Sequence, residues 1–117
     1  MKVLIVEDDA AIAEIVQMAL EGEGHDVVVA SDGRRALDLA AAAQPDLILL
    51  DMLMPHMDGW VFAQRYRERP GPHAPIVVMT AAADARRRAQ EVRAEAVLGK
   101  PFGLQELYDV VAGFSRA

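Results

Sequence analysis

Five short apolar runs limit what this chain can fold into: Val3–Val6, Val27–Ala30, Leu47–Leu50, Ile76–Met79 and Ala96–Leu98. None alternates cleanly with polar residues, which is how strands buried on both faces read. Helical patterns fill the intervals. Ile12, Ile15, Val16, Ala19 and Leu20 share one predicted stripe, stopped by Gly22 and Gly24. Asp32 is placed to cap a second helix carrying Ala36, Ala40 and Ala43, flanked by Leu37 and Leu39. Phe62, Ala63 and Tyr66 mark a third, ending before Pro70-Gly71-Pro72. A fourth, nearly all alanine on its apolar face, is expected from Asp84 to Glu91, and a fifth carries Leu104, Leu107, Tyr108 and Val111. Strands alternating with helices imply right-handed crossovers and a parallel sheet covered by helices on both faces. The expectation is one α/β domain over residues 1–117, a single (βα)5 unit without linker, repeat or effector domain.

Composition narrows the functions. Cysteine is absent, which removes disulfides, thiolate zinc sites and cysteine nucleophiles. The formal charge of −6 argues against direct nucleic-acid binding, which relies on clustered Lys and Arg. The opening apolar run is interrupted by Glu7-Asp8-Asp9, too early for a signal peptide or a membrane span. A soluble cytoplasmic protein with no membrane partner is expected.

Position carries the functional signal. Glu7, Asp8 and Asp9 follow the first strand, Asp51 the third, Thr80 the fourth and Lys100 the fifth. Open α/β sheets bind ligands at the carboxyl ends of their strands. Three crowded carboxylates repel one another, and a divalent cation relieves the repulsion. An all-oxygen set with room for water suits Mg²⁺, with Mn²⁺ as a substitute. A carboxylate can attack phosphorus to give an acyl phosphate, while Thr80 and Lys100 can donate to phosphoryl oxygens.

The strings Ile5-Val6-Glu7-Asp8-Asp9, Leu49-Leu50-Asp51-Met52-Leu53-Met54-Pro55-His56-Met57-Asp58-Gly59, Met79-Thr80-Ala81 and Lys100-Pro101-Phe102 together resemble the response regulator receiver family across essentially the whole chain. The resemblance implies a flavodoxin-like, doubly wound fold with strand order 2-1-3-4-5. It implies Asp51 as phosphoacceptor, Asp8 and Asp51 as Mg²⁺ ligands with the Leu53 backbone carbonyl, and Glu7 acting largely through water. Thr80 corresponds to the switch hydroxyl, Ala81 to the small residue that leaves phosphoryl access, and Lys100 to the phosphate contact. The Lys100–Pro101 peptide would be cis, an isomer proline permits. The implied partners are a sensor histidine kinase or histidine phosphotransferase and a downstream protein, with phosphorylation-dependent homodimerisation left open. Such a protein is a phosphoacceptor switch rather than an enzyme, with intrinsic self-phosphorylation and autodephosphorylation chemistry.

Departures from the family pattern concern output. Val97 stands where an aromatic switch residue is usual, Thr80 to Lys100 is a little short, and Leu53 and Ala82 are apolar where side chains can tune hydrolysis. Other residues read structurally. Asp9 and Asp58 suit helix N-caps, and His56 reads as an exposed loop residue. Arg86-Arg87-Arg88 reads as a solvated helix face, Trp60 as a partly buried residue near the site, and His25 and His73 carry no signal. The competing class is a Mg²⁺-dependent phosphohydrolase of the haloacid dehalogenase type, whose second aspartate would fall at Leu53. A flavodoxin-like FMN module is disfavoured because Glu7-Asp8-Asp9 would repel a phosphate.

Overall fold

The computed structural model describes residues 1–54 and 57–115, so His56 lies outside the described residues. Ten elements alternate strictly: β1 (Lys2–Val6), α1 (Ala10–Gly22), β2 (Asp26–Ala30), α2 (Gly33–Ala43), β3 (Leu47–Asp51), α3 (Gly59–Glu68), β4 (Ile76–Ala81), α4 (Ala82–Val92), β5 (Ala96–Lys100) and α5 (Leu104–Ala112). All strand pairs are parallel and the order is β2-β1-β3-β4-β5, so the chain reverses direction across the sheet between β1 and β3.

Two-residue alternation along the buried strands divides the core. Leu4, Val6, Ile48, Leu50 and Val78 face Ala36, Ala40, Phe62, Ala63, Tyr66, Ala89 and Val92, which places α2, α3 and α4 on one side. Val3, Ile5, Leu47, Leu49, Val77, Met79 and Leu98 face Val16, Leu20, Leu107 and Val111, which places α1 and α5 on the other. β1 to β4 therefore supply apolar side chains in both directions, and that is why their sequences show no alternation, whereas edge strand β5 faces one core through Ala96 and Leu98.

Three helices start on an aspartate. Asp9 Oδ1 accepts from Ala11 N and Ile12 N, Asp32 Oδ1 from Arg35 N at 2.9 Å, and Asp58 Oδ1 from Val61 N at 3.0 Å. The buried stripe of α1 centres on Ala13, Val16 and Leu20, whereas Ile15 is 57% exposed. Ile15 sits about 100° around the helix from Val16, at the edge of the stripe rather than inside it. In α5, Leu107 and Val111 are buried but Leu104 is exposed, because it occupies the first helical position above the sheet's edge.

The strand ends differ from the sequence reading in a way that bears on the site. β3, β4 and β5 run on through Asp51, Thr80 and Lys100, so these residues lie on the last rungs of the sheet instead of in loops. Asp51 pairs with Met79, Thr80 with Gly99 and Ala81 with Lys100. α4 begins immediately after β4, two residues earlier than expected and with no loop between them. Among the described residues no helix is long and apolar enough to cross a membrane.

Candidate functional site

The sheet brings three strand ends together. Glu7 prolongs β1 by donating its amide to Ala30 O at 3.0 Å, which turns its side chain inward. Glu7 and Asp51 are buried, Asp8 is exposed, and one carboxylate oxygen from each lies within 4.8 Å of the others. Lys100 Nζ donates to Glu7 Oε1 at 2.5 Å and stands 3.7 Å from Asp51 Oδ1. Contact between Glu7 and Lys100 is the feature that residue-by-residue reading missed. It arises because β1 and β5, though not neighbours, both point their last side chains over β3.

Asp9 takes no part in this cluster, since its carboxylate is committed to the α1 N-terminus. Thr80 is buried one rung from the end of β4, with exposed Ala81 beyond it. The Lys100–Pro101 peptide is cis. Val97 is 37% exposed on edge strand β5. Trp60 lies over α4 rather than over the acids: its indole Nε1 donates to Glu91 Oε1 at 2.9 Å. The arginine run is only partly a solvated face. Arg87 pairs outward with Asp84 at 3.0 Å, but Arg88 folds inward and sets its guanidinium 4.7 Å from the Trp60 ring centre.

Electrostatics single out Asp51, whose carboxyl is raised from 3.8 to about 7. Burial is the main cause, followed by the hydrogen bond with Glu7 and its charge, while Lys100 and the Leu53 amide pull the other way. The Leu53 amide donates to Asp51 Oδ1 at 3.3 Å, so the loop leaving β3 curls back over the carboxylate. Two glycines hold that loop. Gly59 N donates to Met52 O at 2.9 Å, and a Cβ on Gly59 would lie 2.8 Å from Met52 Cα and 3.1 Å from Asp51 O. A Cβ on Gly33 would lie 2.8 Å from Cγ of Met57, so the start of α2 forms the notch that receives this side chain. Gly59→Ala is therefore expected to cost about 1–3 kcal/mol, because backbone must shift to admit the methyl group. Thermal unfolding followed by circular dichroism checks this, and an unchanged midpoint would mean that the loop yields freely.

Glu7, Asp8 and Asp51 offer carboxylate oxygens of the kind a hard divalent cation takes. Asp8 opens to solvent, the two other acids are buried beside it, and burial, with Glu7 adding to it, raises the Asp51 carboxyl in the absence of further positive charge. Oxygen-only ligation with a solvent-facing side fits Mg²⁺. The arrangement can also present one nucleophilic oxygen to an electrophile approaching from the open end of the sheet, with an ammonium in reach of the charge that develops.

Comparison with known proteins agrees with this geometry. The family model for the response regulator receiver domain matches residues 3–112. Response regulator MprA of Mycolicibacterium vanbaalenii is 39% identical over 108 residues, covering 91% of this chain and 46% of the relative. The chain thus spans about half the length of the curated relatives it matches. Among solved structures, chemotaxis response regulator CheY4 of Vibrio cholerae superposes with a TM-score of 0.88 at 33% identity, covering 97% of this chain and 98% of that one. The receiver domain of sensor histidine kinase PA1611 from Pseudomonas aeruginosa, solved with a magnesium ion coordinated in its active-site cleft, has a TM-score of 0.87 at 28% identity, with 97% and 95% coverage. Strand order, acids at the strand ends and a family match along nearly the whole chain lead to one conclusion: this chain belongs to the response regulator receiver domain family.

Proposed function

We propose that residues 1–117 form a single receiver unit in which Asp51 accepts a phosphoryl group from a phosphohistidine and the unit relays the change as a two-state switch. The observation that carries this reading is the convergence on Asp51, at the end of β3, of Glu7 and Asp8 from the end of β1 and of Lys100 from the end of β5. An Asp51 oxygen forms the new P–O bond as the P–N bond to the donor imidazole breaks, and the leaving nitrogen keeps the electron pair and picks up a proton. Asp8, Asp51 and the Leu53 carbonyl would hold Mg²⁺, with Glu7 acting largely through water. Bound there, the ion supplies neutralising charge to the carboxylates and to the transferring phosphoryl group. Lys100 would exchange its hydrogen bond to Glu7 for one to a phosphoryl oxygen, a short swing from where it stands. Thr80 would donate its hydroxyl to another phosphoryl oxygen, and Ala81 leaves the approach open. The product is an acyl phosphate, which hydrolyses without an effector, so the signal is transient.

A partner must bring its histidine to this end of the sheet. Ile12, Ile15, Ala81, Pro101, Phe102 and Leu104 line an open, largely apolar groove of about 400 Å³ that runs up to Lys100. We assign docking of a cytoplasmic histidine kinase or phosphotransferase to that groove. Residues 1–117 are assigned no nucleic-acid contact of their own, given the net charge of −6. The phosphohydrolase alternative would need an acid where Leu53 extends an apolar side chain into solvent.

Phos-tag electrophoresis with acetyl phosphate and Mg²⁺ tests the assignment. A retarded band is expected for the native chain, none for Asp51→Asn, and none for the native chain in EDTA. Retention of the band in Asp51→Asn would reject Asp51 as acceptor, and undiminished labelling in EDTA would reject the cation.

A further inference from the structure

Helix α4 is attached to the rest of the molecule unevenly. Its apolar hold on the core comes from Ala85, Ala89 and Val92, which bury little surface for eleven residues of helix. Its N-terminus has no side-chain cap and is joined to buried Thr80 through Ala81 alone. The other end is gripped from α3. Arg67 donates to the Val92 and Arg93 carbonyls, closing the last turn, and stands 3.6 Å from Glu95. Beside the gripped end lies Trp60, donating to Glu91 in the last turn and covered by Arg88 one turn earlier. Arg88 makes only long contacts to Asp84 and Glu91, both 3.9 Å, and its Nε is buried without a hydrogen-bond partner. A buried donor left unpaired is a cost of this arrangement that a displaced α4 would relieve.

We propose that Arg88, with Trp60 and Glu91, is a positioning element for the phosphorylation chemistry: it latches α4 to α3 in the resting state and so holds Thr80 back from Asp51. The proposal rests on the phosphoacceptor reading and adds how the switch is restrained. Thr80 can move toward Asp51 only by pulling on the first turn of α4, because no loop lies between them to absorb the shift. The gripped C-terminal end makes α4 pivot, and Arg88, one turn nearer the loose end than Glu91, is lifted off the Trp60 ring as the N-terminal end swings. Val97, aliphatic and half-exposed on β5, offers no polar-tipped ring to restrain the same motion, so the restraint falls on the α3–α4 side.

Trp60 is the one tryptophan of the chain and reports directly on the latch. Acrylamide quenching of its fluorescence is measured on samples whose labelled fraction is scored by Phos-tag electrophoresis after acetyl phosphate and Mg²⁺. Quenching is expected to rise about twofold in step with labelling, as Trp60 loses Arg88 and Glu91 from its face and edge. Labelled protein whose quenching stays at the resting value overturns the latch while the phosphoacceptor reading stands. Absence of labelling overturns both. Arg88→Ala is expected to show the open quenching value without phosphorylation and to label about fivefold faster, since a restraint on the reactive conformation is gone. Arg88→Lys, which keeps the cation over the ring, should return part of both effects. Glu91→Ala, at the rim, carries the same prediction at about twofold should Arg88→Ala fail to fold. Labelling of folded Arg88→Ala or Glu91→Ala at the native rate sinks the proposal.

Discussion

Lys100→Met is expected to lower the unfolding free energy at pH 8 by about 3–5 kcal/mol, the size of effect seen when a buried charge loses its partner. Glu7 is 1% exposed and Lys100 is the cation that reaches it, at 2.5 Å. Without the ammonium, three carboxylates share a space in which their oxygens lie within 4.8 Å of one another. Domains of this size are stable by only about 5–15 kcal/mol, so the loss is a large share of the total. It should shrink at pH 5, below the value of about 7 at which Asp51 takes up its proton, and on addition of millimolar Mg²⁺. Urea unfolding at the two pH values, with and without Mg²⁺, measures it; a pH-independent loss below 1 kcal/mol would show that Glu7 does not depend on Lys100. On the phosphoacceptor reading, labelling by acetyl phosphate should also fall by about 10²–10³, the scale of removing one preorganised charge-stabilising group.

The second large effect has the opposite sign. Asp51 takes up its proton at about 7 in the folded chain against 3.8 for the ordinary group. Between those values the native state holds a proton that the unfolded state has lost, so stability falls as pH rises through this window and levels off above it. Asp51→Asn removes the ionisation. It should be more stable than the native chain at pH 8 by about 2–4 kcal/mol and nearly equal to it at pH 4. Mg²⁺ should narrow the difference at pH 8, because the cation favours the ionised carboxylate of the native chain. Thermal unfolding across pH 4–8 checks the sign, and a destabilised Asp51→Asn at pH 8 would mean that Asp51 is a structural ion-pair member. The carboxyl proposed as phosphoacceptor is thus one that the fold holds at a cost, as functional groups often are.

Much of this was legible in the residues. The buried strands announced themselves because Leu47-Ile48-Leu49-Leu50 feeds two cores at once, and Asp32 and Asp58 stand where helix starts need an acceptor. Strand order came from the resemblance, since periodicity says nothing about which strands are neighbours. What the sequence could not convey is mostly three-dimensional pairing. Nothing in the spacing of Glu7 and Lys100 shows that two non-adjacent strands aim at one point. Ile15 reads as part of the buried face because helical stripes have blurred edges, and it instead faces the groove beside Lys100. Arg88 reads in sequence as one more solvated arginine, but Trp60, the second residue of α3, lies beneath it. The early start of α4 was hidden for a related reason: alanine-rich sequence favours helix so strongly that it marks no boundary.

Glu7 and Lys100 are separated by 93 positions and meet only when the last strand takes its place at the sheet edge. During synthesis the acids emerge first and the lysine last. A nascent or nicked molecule without β5 carries Asp51 but neither the ammonium nor the final rung that Thr80 leans on. On the phosphoacceptor reading, competence to receive a signal is therefore withheld until β5 has left the ribosome and joined the sheet.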